Sequence, residues 1–301
     1  MNTQTAKPPL WKDVLSGGLA GCGACLVSNP LEVVKTRMQL QGELQSKKTH
    51  PVHYKNAFQA LWVLLRTEGP RSLQAGLVPA LFYQMVMNGV RLGTYSRVQA
   101  AGFTDSAFGS AIAACASGLA GAALASPFYL VKTQLQVQTS SSIAVGFQHN
   151  HMGMVSALTG IRRREGLKGL WRGVEAAGLR VAVGSTAQLT TFTRCKELAV
   201  RAGLAKQGTL WQILIGCLLS SVALAICMTP FDVISTRLYN QPTTPDGKGR
   251  LYSGVLDCLR RTVLSEGPLA LYKGIGPAYL RMGPHTILSL LLWDVFRGVL
   301  V

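Results

Sequence analysis

Acidic residues are scarce in this 301-residue chain: 13 Asp and Glu stand against 30 Lys and Arg, and all charged types together make only 14%. A soluble domain carries about 25% charged residues, so too few are present here to coat a water-facing exterior. Also missing is an uninterrupted apolar run of ~20 residues, the mark of a simple membrane span. The apolar stretches are broken by Gly, Ser, Gln and Arg, although 48% of the chain is hydrophobic and mean hydropathy is +0.26. That combination fits membrane helices with one face on lipid and another on a wet cavity. A soluble helical protein rich in small residues is the alternative it leaves.

Other absences narrow the function. The seven cysteines form no disulfide framework. Cys22 and Cys25 have C-x-x-C spacing, but they lie in a glycine-rich apolar stretch with no second pair, as small residues at a helix contact do. No metal-ligand set, nucleophile–base arrangement or phosphate-cradling loop occurs, so neither catalysis nor a cofactor is expected. Residues 1–12 have no apolar core or cleavage site, so no secretory signal is expected. No aromatic–basic RNA motif or zinc-finger spacing appears, which ranks nucleic acid last as the partner of a chain with a net charge of +17. An anionic membrane surface or an anionic solute remains.

What the sequence does contain is one pattern, three times. Pro30 is followed by an acid at +2 (Glu32), bases at +5 and +7 (Lys35, Arg37) and an amide at +9 (Gln39). Pro127 keeps the +5 lysine (Lys132) and the +9 amide (Gln136), with Tyr129 at the acid position. Pro230 keeps the acid (Asp232) and the +7 base (Arg237), with Ser235 and Tyr239 at the other two positions. The prolines are 97 and 103 residues apart, and a repeat of this size fixes the architecture before anything else. A second set of landmarks runs in register. Glu68-Gly69, Glu165-Gly166 and Glu266-Gly267 are each followed by a further glycine at fixed distance, Gly76, Gly173 and Gly274. Each is preceded, 14 residues earlier, by Tyr54, His151 or Tyr252.

Each repeat reads as a long helix, a polar linker, a short amphipathic helix, a Glu-Gly break and a second long helix. The long helices are expected at 11–38, 77–100, 110–137, 171–196, 210–239 and 272–299. The short ones are expected at 56–67, 154–164 and 255–264. Repeat boundaries fall at 1–104, 105–205 and 206–301. Gly17, Gly21 and Cys25 recur every four residues, which lets another helix approach closely. The intervals 35–75, 132–173 and 230–274 hold 7, 6 and 6 of the basic residues. Two spans per repeat put these loops on one side of a membrane, the inside by their positive bias.

Together these motifs resemble the mitochondrial carrier family over nearly the whole chain. Residues 127–133 look like the second signature of its oxaloacetate–sulfate carriers. Gly283-Pro284-His285-Thr286 looks like the last helix of its dicarboxylate carriers. Residues 29–44 and 229–242 look close to orphan members of solute carrier family 25. The resemblance implies an all-α membrane protein, the mitochondrial carrier fold. Six transmembrane helices would stand in three pseudo-symmetric repeats, with short matrix helices, as a monomer in the mitochondrial inner membrane. It also implies an antiporter working by alternating access, with an uncoupling-type leak or a carrier for another small anion as alternatives.

Site residues follow from the same resemblance. On the matrix side Glu32 would pair with Lys132 and Asp232 with Lys35, leaving Tyr129 opposite Ser235. Gln39 and Gln136 would brace this gate one turn below, with Tyr239 in the third place. On the cytoplasmic side only Trp293-Asp294-Val295-Phe296-Arg297 keeps the family's acid. Asp294, Arg297, Lys196 and Gln99 would form a weaker gate there. Arg180 and Arg281 stand seven residues past Gly173 and Gly274, at the height where the family binds substrate. Tyr83 holds the equivalent place, beside Gln84, and Arg91 lies eight residues further on, ~12 Å by helical rise. Asn88, Gln188 and His285 would complete the site. Guanidinium forks match carboxylate or sulfate oxygens, so a small dianion is the expected substrate. Gly173 with Arg172 and Gly274 with Lys273 begin helices whose free N–H groups favour an anionic headgroup; carriers bind cardiolipin here.

Overall fold

A computed structural model of the chain describes residues 10–45, 52–104, 106–139, 142–244 and 246–300. Its elements are α1 (Leu10–Leu40), α2 (Ala57–Glu68), α3 (Leu77–Ala100), α4 (Ala107–Val137), α5 (Met154–Gly169), α6 (Val174–Arg201), α7 (Leu210–Asn240), α8 (Val255–Glu266) and α9 (Ile275–Leu300). Two 3₁₀ turns, Pro70–Gln74 and Pro268–Tyr272, precede α3 and α9. The order long–short–long recurs three times, and no strand is present among the described residues.

The first long helix of each repeat, α1, α4 and α7, has 31 residues and carries its signature proline inside it. At 1.5 Å per residue that is ~46 Å, more than the hydrocarbon core of a bilayer. Within these three helices Val14–Leu40, Phe108–Val137 and Leu218–Asn240 are long and apolar enough to cross a membrane. Ser106 and Thr209 cap α4 and α7 by accepting from Gly109 N and Gln212 N, which satisfies backbone donors the helix starts leave open. The short helices end where the sequence places Glu-Gly. Gly69, Gly166 and Gly267 take φ of 79°, 71° and 88°, a backbone that side chains with a Cβ disfavour. In the second repeat helical turns resume after Gly166, so α5 runs on to Gly169 and exceeds the expected 154–164.

The small residues of α1 do what their spacing implies. A Cβ on Gly17 would meet Leu92 of α3 at 2.5 Å, and one on Gly21 would meet Asn88 of α3 at 2.5 Å. Side chains of α3 therefore lie directly on the α1 backbone at these glycines. The deep core collects at the proline end of the bundle. Val33, Val34 and Leu40 pack with Tyr54 and Leu64; Leu130 and Val131 with Ala157 and Ile161; Ile234 and Leu238 with Tyr252 and Cys258. Each cluster wedges a long helix against a short one.

Candidate functional site

Three stacked rings of contacts join α1, α4 and α7 where these helices converge. The upper ring is ionic. Lys35 Nζ lies 2.7 Å from Asp232 Oδ2, joining α1 to α7, and Lys132 Nζ lies 2.7 Å from Glu32 Oε1, joining α4 to α1. Lys35, Asp232 and Lys132 are almost wholly buried, and Glu32 is 13% exposed. The α4–α7 side of the ring has no such pair, because Tyr129 and Ser235 occupy the acid and base positions. The Ser235 hydroxyl is buried without a hydrogen-bond partner among the described residues.

The middle ring comes from the +9 positions. Thr236 donates to Gln39 Oε1 at 2.7 Å, Thr36 donates to Gln136 Oε1 at 3.0 Å, and Tyr239 shares a 3.1 Å hydrogen bond with Ser126. The contacts run α1–α7, α4–α1 and α7–α4, closing the circle. The amides thus clasp hydroxyls of neighbouring helices, and Gln136 also donates to Asn29 at 3.3 Å.

The lower ring was not foreseen from the sequence. Here the +7 side chain of each helix donates to the backbone carbonyl of the +9 residue on another. Arg37 reaches Gln136 O at 3.0 Å, Arg237 reaches Gln39 O at 3.5 Å, and Gln134 reaches Tyr239 O at 3.2 Å. The two arginines are fixed from behind by paired contacts to the Glu-Gly glutamates, Arg37 to Glu68 and Arg237 to Glu266. Fork-on-carboxylate geometry is the strongest form of such a contact. In the second repeat Gln134 replaces the arginine, and Glu165 instead takes Arg172 at 2.7 Å and the Thr243 hydroxyl at 2.8 Å. In all three repeats a glutamate stands 29–31 residues after the +7 residue, Gln134 included, so spacing alone does not mark the pairing.

Above the rings, the structure gathers most of the residues proposed for the cavity. Arg180 on α6 extends to Tyr83 Oη at 3.1 Å, and its Nε lies 3.6 Å from Asp232 Oδ1. Arg281 on α9 lies within Coulombic reach of Glu32, Lys35 and Asp232. Its Nε is buried without a hydrogen-bond partner among the described residues. His285, one turn further along α9, is bridged by Ser28 on α1 at 3.0 Å and by Gln84 on α3 at 3.1 Å. Asn88 packs against Gly21. Arg91 and Gln188 are exposed further along α3 and α6, beyond this cluster.

The remaining expected site residues divide in two. On the lipid side, Gly76, Gly173 and Gly274 all take left-handed φ, of 66°, 81° and 77°. Each lies against another repeat: Gly76 on Lys132 O, Gly173 on the Tyr239 ring and Gly274 on Lys35 O. Arg172 and Lys273 turn inward onto Glu165 and Glu266, at 2.7 and 2.6 Å. A cavity of about 490 Å³ opens beside the start of α6, lined by Trp171, Arg172, Gly173, Lys248 and Gly254 among others. At the opposite end of the bundle, Lys196 lies over the Phe192 ring at 5.4 Å and Gln99 is exposed. Asp294 and Arg297 belong to α9, and their side chains lie outside the described ones.

Comparison with known proteins agrees with this architecture. The family model for mitochondrial carrier protein matches three times, over residues 6–106, 103–203 and 206–301. Solute carrier family 25 member 35 of Homo sapiens is 50% identical, over 95% of this chain and 98% of its own. The mitochondrial oxaloacetate transport protein of Saccharomyces cerevisiae is 41% identical, over 92% of this chain and 86% of its own. The mitochondrial citrate transporter E of Aspergillus niger is 40% identical, over 92% and 90%.

Proposed function

The chain belongs to the mitochondrial carrier family, a transporter of the mitochondrial inner membrane and not an enzyme, and on that premise we propose that it exchanges small dicarboxylates and sulfur oxyanions. Oxaloacetate, malonate, malate, sulfate and thiosulfate define the class. The observation that carries this reading is a count of charge. Around the ionic ring stand four cations, Lys35, Lys132, Arg180 and Arg281, with two carboxylates, Glu32 and Asp232. Two positive charges are left over, which a doubly negative guest neutralises. Charges within spanning helices are costly and are kept for function.

Arg281 and Arg180 are the anion's principal ligands, since a guanidinium fork suits the paired oxygens of a carboxylate or sulfate. Gln84, Asn88 and His285 border the same space and offer neutral hydrogen bonds. The ion pairs of Lys35 with Asp232 and Lys132 with Glu32 act as the matrix gate, braced by Gln39, Gln136 and Tyr239. The cytoplasmic gate of Asp294, Arg297, Lys196 and Gln99 is the weaker of the two, and the two gates open in turn. Exchange, rather than one-way movement, follows because an emptied site leaves the surplus cations facing one another. The carrier works as a monomer, with cardiolipin held at the starts of α6 and α9 by the N–H groups around Gly173 and Gly274.

A tricarboxylate is the second reading, favoured by the name of the Aspergillus niger relative; Arg91, further up α3, could then receive the third carboxylate. A screen of radiolabelled anions for homo-exchange in proteoliposomes, with Arg281→Ala as control, tests the proposal. Dicarboxylates and sulfate should lead the panel and the variant should lose at least tenfold in rate. Uptake that needs no internal substrate points instead to a leak, and unchanged uptake by the variant removes Arg281 from the site.

A further inference from the structure

Two of the three joints in the ionic ring are ion pairs, and the third is built from aromatic rings. Tyr83, Tyr129 and Tyr239 form a ladder across α3, α4 and α7, with centroids 5.1 and 5.0 Å apart. All three are buried. Two cations rest on this ladder. Lys132 Nζ lies 5.5 and 5.6 Å from the Tyr83 and Tyr129 ring centres, and the Arg180 guanidinium lies 5.4 Å from that of Tyr129. Arg180 also donates to Tyr83 Oη, and its Nε faces Asp232 Oδ1 at 3.6 Å, neither of these two atoms holding a hydrogen bond among the described residues.

We propose that Arg180 closes the third joint of the matrix gate through Tyr129, Tyr83 and Asp232, so that a dianion binding Arg180 unlocks the gate in the same step. The inference rests on the exchange reading above and deepens it. Tyr83 and Tyr129 are then positioning residues, which hold the guanidinium until an anion takes it, and not ligands of the anion. The physics favours such a catch. A cation over an aromatic face is held firmly when dry, yet two anionic oxygens in a guanidinium fork hold it more firmly still. Arg281, though within Coulombic reach of Glu32 and Asp232, rests on no aromatic ring among the described residues and its Nε is unbonded there, so it receives the anion first.

The test uses full-length protein in proteoliposomes, with radiolabelled malonate and sulfate as probes. Tyr129→Leu removes the ring. The ratio of malonate uptake into empty vesicles to uptake by exchange should rise about fivefold, the population shift one cation–π contact supports. Tyr129→Phe keeps the ring and should restore the wild-type ratio. Tyr83→Phe removes the hydroxyl that holds Arg180, so KM for both anions should fall about threefold. A rise in KM would make Tyr83 an ordinary ligand and overturn the proposal, as would an unchanged ratio in Tyr129→Leu. If Tyr129→Leu does not survive reconstitution, Tyr83→Phe decides alone. Wild-type protein that exchanges neither anion takes down the exchange reading and this one together. Wild-type exchange with both variants unchanged takes down this one alone.

Discussion

Asp232→Asn is the substitution that the gate geometry makes most consequential. The carboxylate lies 2.7 Å from Lys35 Nζ and 3.6 Å from Arg180 Nε, and its side chain is only 3% exposed. Removing its charge leaves two cations near one another with no shared counter-ion. Breaking a buried pair from one side costs about 3–5 kcal/mol. At roughly 2 °C per kcal/mol for a chain of this size, the thermal midpoint should fall by about 6–10 °C. Glu32 has one ion-pair contact, with Lys132, Arg281 lying further off, and it is more exposed, so Glu32→Gln should cost less. The assay is thermal unfolding of detergent-purified protein, followed with a thiol-reactive dye reading its cysteines. A charge swap, Lys35→Asp with Asp232→Lys, re-forms the pair but sets the new ammonium against Arg180, so rescue should be incomplete. A shift under about 2 °C for Asp232→Asn, a larger shift for Glu32→Gln, or full rescue by the swap would refute the reasoning.

Further outcomes follow from other parts of the structure. Glu266 accepts from Arg237, Lys273 and the Leu44 backbone N–H, and its side chain is 1% exposed against 12% for Glu68; Glu266→Gln should therefore lower the melting temperature more than Glu68→Gln. Burial, with Glu266 nearby, pushes the Glu43 carboxyl up to about 7, although Arg237, Lys273 and its hydrogen bond with Tyr252 pull the other way. An acid raised in the folded state adds stability below its unfolded value of about 4.3, and that stability is lost as pH rises through about 7. Melting temperature should thus fall from pH 6.5 towards 7.5 in the wild type and stay flat in Glu43→Gln; His149, held down to about 4 mainly by burial, titrates below that window. Gly274→Ala adds a Cβ 3.1 Å from Lys35 O at a φ of 77°, so it should destabilise by about 1–2 kcal/mol, read by the same dye assay.

Much of this was legible because the chain repeats itself. Proline, acid and base recur at fixed offsets, and the family resemblance then said which acid would face which base. The ends of α3 at Leu77 and Ala100 match the expected span, since Gly76 and the polar turn after Ala101 mark both boundaries. The lower ring escaped because its acceptors are backbone carbonyls, which carry no sequence signature. The Arg37–Glu68 and Arg237–Glu266 contacts escaped for a different reason. Both partners had been noticed, as a signature base and a break motif, but nothing in their spacing said that the short helix folds back beneath the long one. Arg172 and Lys273 were grouped with Gly173 and Gly274 at the helix starts, with no partner assigned to their side chains. The glutamate seven residues before each turns it inward, because a partly buried cation is held best by the nearest carboxylate. The tyrosine ladder was hidden by substitution: Tyr129 looked like the loss of an acid, and only the packing shows two cations resting on its ring.

The surplus of two positive charges around the ionic ring is the claim on which the account stands. Its most direct measurement compares exchange of malonate with exchange of malonamate, nearly the same in shape but one negative charge poorer, in proteoliposomes at fixed pH. The account predicts that malonate is preferred by at least tenfold in kcat/KM, and that Arg281→Ala erodes that preference. Equal exchange of the two solutes, or preference for the monoanion, would contradict it.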